Sequence, residues 1–398
     1  MRMSDDKFGR LRQMLMEKLD MGRELSDEEI LEAIDELILT NLRDSFTTLK
    51  EKVELRQELF YSVRKLDVLQ ELIEDETVTE IMVNGPDSVF VERAGRLIKW
   101  DKSFTSKEKL EDVIQQIVGK CNRVVNESMP IVDARLENGS RVNAVIQPVA
   151  LNGPILTIRR FPDKPVTMEK LIALGSLTKE CADFLNALVR ARYSIIIGGG
   201  TGSGKTTFLG ALSEYIPTDE RIITIEDSAE LRLQGIDNLV RLEAKMANIN
   251  GAGAVTIRDL IKTALRMRPD RIIVGEVRGG EAVDMLQALN TGHEGSFCTA
   301  HANSSRDMLS RLEMMVLMGV ELPLDAIRRQ ITAGVDIVIH LGRLRDKSRK
   351  VLEISEICGY RDGEIQMQPL YQWQEEKGLV STATLLHREK LERAGICL

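Results

Sequence analysis

The segment Gly199-Gly200-Thr201-Gly202-Ser203-Gly204-Lys205-Thr206, directly behind the apolar run Tyr193-Ser194-Ile195-Ile196-Ile197, constrains this chain more than any other. Glycines let a backbone fold around phosphates with its N–H groups turned inward, which a Cβ would obstruct. Lys205-Thr206-Thr207 then opens a helix, whose N-terminal dipole end adds positive potential. The pattern predicts a buried strand, a phosphate loop and a helix. Lys205 is expected to reach the β- and γ-phosphates and the Thr206 hydroxyl to bind Mg²⁺, with ATP as the nucleotide. Residues Gly199, Gly200, Thr201, Gly202, Ser203, Gly204, Lys205, Thr206 and Thr207 form the expected nucleotide-binding set.

At 398 residues the chain is long enough for two or three domains. Its 43% hydrophobic and 29% charged content is that of a globular protein. A net charge of −8 argues against a protein built mainly to coat nucleic acid, so no nucleic-acid partner is expected. The five cysteines, Cys121, Cys181, Cys298, Cys358 and Cys397, are scattered without a C-x-x-C pair and read as free thiols of a reducing cytoplasm. No run of about 18 apolar residues suggests a membrane span. The N-terminus also lacks the apolar core of a signal peptide, so the expected location is cytoplasmic with peripheral membrane association.

Residues 1–65 read as a helical, acidic extension; the first sixty hold ten Lys or Arg against fifteen Asp or Glu. Ser26 with Glu29 forms a capping box, followed by Ile30, Ile34, Leu37 and Ile38 at helical spacing. Such a helix is a solvated appendage or, in the sharper reading, a partner-docking element. Residues 66–161 alternate as an α+β domain. Strands are expected over Thr77–Pro86, breaking at a turn, and over Val89–Arg93, Arg96–Trp100, Arg141–Ile146 and Ile155–Phe161, with a helix over Ser106–Cys121 and turns at Ala94-Gly95 and Asn138-Gly139. Residues 162–165 are a plausible linker. Residues 166–398 form the phosphate-loop domain, with strands and helices alternating as in a parallel sheet to Leu344. From Arg345 the tail is less regular, with strands near Val351–Cys358 and Ile365–Leu370.

Two later strands end in carboxylates, as a sheet whose strand tips line one crevice requires. The first is Arg221–Glu226 followed by Asp227, with Glu230 beyond; the second, Ile272–Val274, leads to Gly275-Glu276-Val277-Arg278. Many phosphate-loop enzymes place an Asp at such a tip to hold Mg²⁺ through water. Here Gly275 precedes the Glu and Asp270 lies at the wrong end of the strand, so Glu276 either supports Mg²⁺ or orients the attacking water. Glu230 is then the better candidate general base, with Glu226 and Asp227 shaping the site. His293 and His301 frame Gly292–Asn303. No third ligand at metal spacing accompanies them, and sensing of the γ-phosphate fits better than metal binding or a purely structural turn.

Together these motifs resemble the type II/type IV secretion superfamily of hexameric ATPases, which power secretion, pilus assembly and pilus retraction. The likeness rests on the phosphate loop, Ile225-Glu226-Asp227-x-x-Glu230, Gly275-Glu276 and Gly292-His293-x-Gly295 with Thr299-x-His301, and covers about residues 65–345. Within the superfamily the chain is most similar to the tight-adherence (Flp) pilus assembly ATPases, the CpaF-like branch. Asp133–Leu136 with Gly139–Ala144, Ile158–Phe161 and Arg311–Met318 carry that similarity. The tetracysteine insertion usual in general secretion ATPases is missing, which favours the CpaF-like or VirB11-like branches and implies no structural zinc. The resemblance implies a RecA-like C-terminal ATPase domain behind an α+β domain, a homo-hexamer, and work on inner-membrane platform proteins. It also implies a nucleotide site roofed by the N-terminal domain, with Arg141, Arg159 and Arg160 matching the arginines that reach the γ-phosphate. Arg278 is a further candidate, as a site-coupling arginine. A retraction motor, a nucleic-acid translocase and a non-catalytic nucleotide switch are the rival functions.

Overall fold

Three helices open the chain, α1 (Asp5–Lys18), α2 (Asp27–Asn41) and α3 (Leu49–Arg64), and each buries one apolar stripe. The capping box starts α2: Ser26 Oγ accepts the Glu29 N–H at 3.2 Å, and the Glu29 carboxylate accepts the Ser26 N–H at 2.8 Å. Ile30, Ile34, Leu37 and Ile38 then pack with Leu11, Leu15, Leu55 and Leu59 into a small core of their own. The computed structural model describes residues 5–19, 25–41, 48–93, 95–121, 123–136, 138–160, 165–245 and 253–398. The turn residue Ala94, Phe161 and most of the 162–165 linker therefore lie outside the described residues. The chain divides into two units, Met1–Pro162 and Asp163–Leu398.

The first unit continues with α4 (Leu69–Glu74), β1 (Val78–Asn84), β2 (Val89–Arg93), β3 (Arg96–Lys99), α5 (Lys107–Lys120), β4 (Ile131–Arg135), β5 (Arg141–Val145) and β6 (Ile155–Arg159). The strands form an antiparallel sheet in the order β3-β2-β1-β6-β5-β4. Alternation sends Ile81, Val83, Val91, Val142, Leu156 and Ile158 into a core shared with Leu110, Val113, Ile114 and Ile117 of α5. The other face carries a cross-strand row of charge, Glu92–Glu80–Arg159–Arg141–Arg135, each directly paired with the next.

The second unit runs α6 (Met168–Ala173), α7 (Lys179–Arg190), β7 (Ile195–Gly199), α8 (Lys205–Ser213), β8 (Arg221–Glu226), β9 (Asn238–Glu243), α9 (Ile257–Ala264), β10 (Arg271–Val274), α10 (Ala282–Asn290), β11 (Phe297–His301), α11 (Ser305–Gly319), α12 (Leu324–Gly334), β12 (Ile337–Arg343), β13 (Arg349–Arg361), β14 (Glu364–Gln374), β15 (Gly378–Ser381) and α13 (Glu389–Ala394). All nine strands share one sheet, ordered β15-β14-β13-β12-β7-β11-β10-β8-β9. The strands from β12 to β9 are parallel and both faces of the central ones are covered, which is why they read as unbroken apolar runs. Ile195 and Ile197 enter the core beneath α7 and α8, while Ile196 enters the opposite core beneath α10 and α11. Burying each such side chain is worth about 1.5–3 kcal/mol.

Both strands expected in the less regular tail are present, and each is longer than the sequence suggests. Val351–Cys358 and Ile365–Leu370 fall inside the long strands β13 and β14, which with β15 extend the same sheet in antiparallel sense. No helix among the described residues is long and apolar enough to cross a membrane.

Candidate active site

β7 ends at Gly199 and α8 begins at Lys205, so the phosphate loop occupies the carboxyl edge of the parallel strands, where ligands of such sheets bind. Gly199 is fixed by crowding. A Cβ there would lie 2.5 Å from Ser203 Oγ and 2.6 Å from the Leu341 carbonyl oxygen. Ser203 closes the turn on itself, its hydroxyl donating to the Gly200 carbonyl at 2.9 Å. Thr201, Gly202 and Thr207 are exposed, and Thr206 is half-buried in the first turn of α8.

Lys205 is buried, and its ammonium donates to the carbonyls of Gly199 and Gly200 at 3.2 and 3.1 Å. Its Nζ also lies 3.4 Å from Nδ1 of His301, the last residue of the neighbouring strand β11. An ammonium only donates, so Nδ1 accepts and the imidazole proton sits on Nε2. Nε2 points at Glu276 Oε1, 2.8 Å away, although the approach is off the hydrogen-bonding line. Burial, and then the Lys205 charge, hold the His301 pKa below its ordinary 6.5, keeping the ring neutral at neutral pH. From Glu276 the chain of polar contacts continues. Arg278 Nε lies 3.3 Å from Glu276 Oε2, and the same guanidinium bonds the Asp227 carboxylate at the tip of β8.

Glu226 is buried at the end of β8. Its Oε1 accepts the backbone N–H groups of Glu230 and Leu231 at 2.9 and 2.8 Å, which anchors the turn that carries Glu230. Its Oε2 is buried without a protein partner. Burial raises its pKa to about 7, opposed by those two N–H donors. Gly275 follows from this packing, because a Cβ there would stand 2.9 Å from Glu226 Cγ.

Lys205, Thr206, Glu226, Asp227, Glu230, Glu276, Arg278 and His301 thus all lie at the loop or at the tips of the strands beside it. His293 does not. It precedes β11, at the opposite edge of the sheet from His301, with its Nδ1 3.3 Å from the Ala288 carbonyl oxygen at the end of α10. The expectation that it shares the phosphate-sensing site is corrected. In the first unit Arg159 is exposed and Arg141 half-buried on the charged sheet face. Arg160 is corrected too, because its guanidinium donates to the carbonyls of Asp75 and Val78 and ties the α4–β1 connection to the end of β6. Sequence reasoning missed Arg349, whose Nε donates to the Gly202 carbonyl at 3.0 Å; its only signal is a basic run between two strands.

Mg²⁺ needs hard oxygen donors, and the site offers them: the Thr206 hydroxyl, the Glu276 carboxylate and the orphaned Glu226 Oε2.

The family model described as type II/IV secretion system protein matches residues 63–385. The type IV secretion system protein VirB11 of Brucella suis biovar 1 is 35% identical over 309 residues, covering 69% of this chain and 84% of that one. The conjugal transfer protein TrbB of Rhizobium radiobacter is 33% identical over 323 residues, covering 79% of this chain and 96% of that one. Among solved structures, the pilus retraction motor PilT with bound ADP superposes with a TM-score of 0.53 at 20% identity. It covers 82% of this chain and 86% of that one, a likeness of fold.

Proposed function

The chain belongs to the type II/IV secretion system protein family and is an ATPase of it, and on that premise we propose that it is a hexameric motor of the CpaF-like branch that drives pilus assembly. The coarser function, an ATP-driven motor for secretion or for a pilus, goes with the family. The observation that carries the chemical assignment is the line Lys205–His301–Glu276, which joins the phosphate loop to two neighbouring strand tips within hydrogen-bonding reach. Lys205 holds the β- and γ-phosphates. Glu230, on the turn pinned by Glu226, takes the proton of the attacking water. His301, its Nε2 2.8 Å from Glu276 Oε1, reports on the γ-phosphate side to the tip of β10, and Arg278 passes that state on to Asp227.

Thr206 and Glu276 would hold Mg²⁺, which would supply charge neutralisation on the phosphates. Arg141 and Arg159 are assigned to the same charge on the transferring phosphoryl. Both lie on the charged face of the first unit's sheet, where Arg141 pairs directly with Arg159. Inner-membrane platform proteins of the pilus system are the proposed partners.

Lys205→Ala tests the site directly. Steady-state phosphate release should fall to background, and turnover undiminished in that variant would sink the assignment. Deleting the gene should remove surface pili; loss of retraction with pili intact would reverse the direction of the motor.

A further inference from the structure

The hairpin joining β12 to β13 is the most basic stretch of the second unit's described surface beside the phosphate loop. Residues 343–350 hold Arg343, Arg345, Lys347, Arg349 and Lys350 against Asp346 alone, a local excess of +4 in a chain of net −8. Two of these cations serve the fold. Arg343 Nε reaches the Lys347 carbonyl at 3.4 Å and closes the turn, and Lys350 donates to the Gly175 carbonyl at 2.6 Å. Arg349 is different. Its stem crosses the C-terminal half of the loop, 3.3 Å from where a Cβ of Gly204 would stand, and its Nε holds the Gly202 carbonyl at 3.0 Å. That is its only hydrogen bond among the described residues, and the side chain is exposed.

Sheet order fixes which part of a nucleotide lies here. β7 is flanked by β11 on one side and β12 on the other. The hydrolytic groups His301 and Glu276 belong to the β11 and β10 flank, so the γ-phosphate points that way. The remaining end of the nucleotide must leave toward β12, where Leu341 pairs with Gly199 and the basic hairpin begins.

We propose that Arg349 is a nucleotide-binding residue whose guanidinium contacts the α-phosphate of ATP and ADP, on the opposite flank from Lys205, His301 and Glu276. The assignment rests on the reading of Gly199–Thr206 as the ATP site. Arg345 and Lys347 project from the turn and contribute only to the general field that draws in a polyanion.

An α-phosphate contact is common to substrate, transition state and product, and therefore alters binding and not the chemical step. Equilibrium binding of ADP and of a non-hydrolysable ATP analogue should be measured with the full chain and with Arg349→Ala, beside steady-state kinetics. The variant should bind both nucleotides about tenfold more weakly, the size expected for losing a charge-assisted hydrogen bond. KM should rise by a similar factor with kcat within about twofold, while Arg345→Ala should leave both constants near wild type. Affinities unchanged in Arg349→Ala, a fall in kcat without a rise in KM, or an equal loss in Arg345→Ala would each overturn the contact. Undiminished ADP binding and turnover in Lys205→Ala would instead overturn the ATP-site reading, and this inference with it.

Discussion

Gly275 stands where many phosphate-loop enzymes carry an Asp, and its neighbour explains the exchange. Glu226 of the adjacent strand β8 fills the space that a side chain at 275 would need. The carboxylate is thus supplied from the next strand, buried, with one oxygen spent on the Glu230 turn and the other unpartnered. A pKa raised to about 7 from 4.5 means that the folded chain binds this proton more tightly than the unfolded one. The stability that goes with the proton is present below pH 4.5 and is lost as pH rises toward 7, a span of roughly 3 kcal/mol. Glu226→Gln keeps an oxygen for the two N–H groups and cannot ionise. Between pH 5 and 8, without Mg²⁺ or nucleotide, wild type should therefore lose thermal stability relative to Glu226→Gln. A constant difference in Tm across that range would show that the carboxylate is not desolvated. The acidic tips were legible in the sequence because they end apolar runs, whereas the burial of Glu226 was not. One distinction could have been read: Arg159 and Arg160 are consecutive in an extended segment and face opposite ways, so both could not serve one phosphate.

Strands buried on both faces announce themselves, and β7, β8 and β10 were read from their unbroken isoleucines and valines. Strands at the margins do not. β9 is a half-exposed edge in which Asn238, Arg241 and Glu243 interrupt the apolar pattern. β14 contains Pro369, which cannot donate to a ladder and sits beside the register shift between Ile354 and Ser355 of β13. Such interruptions left β9 unread and obscured that β13 and β14 continue the same sheet. They also hid how the chain's end is fastened. Glu356 of β13, 2% exposed, accepts the N–H groups of Leu386 and His387 at 2.8 and 2.7 Å, and its Oε1 lies 3.0 Å from His387 Nδ1. Tyr193 adds a bond from its hydroxyl to the His387 carbonyl, 2.6 Å long. Glu356→Ala should cost roughly 2–3 kcal/mol in denaturant unfolding and open residues 386–398 to limited proteolysis. A variant with wild-type stability and an unchanged digestion pattern would show that Leu385 and Leu391 suffice to hold the segment.

At the scale of the molecule, order along the chain carried most of the information. The motifs follow one another as they do in the family, and the match begins at residue 63, so the three-helix core before it lies outside the shared part. The candidate residues fall in both units. Lys205, Glu230, Glu276 and His301 belong to the second unit, and Arg141 and Arg159 to the first. The first unit's buried cores are separate from those of the second, so residues 165–398 should fold when expressed alone. If the arginines act on the phosphoryl as proposed, that fragment keeps the groups that bind ADP and loses those that speed hydrolysis. Arginine clamps on a γ-phosphoryl are worth about 10³ in rate or more. The fragment should therefore bind ADP within a few-fold of the full chain and hydrolyse ATP at least about a hundredfold more slowly. The double variant Arg141→Ala, Arg159→Ala of the full chain should show the same pattern, which separates the loss of the arginines from the loss of the rest of the unit. Turnover in that double variant equal to wild type would remove Arg141 and Arg159 from the mechanism.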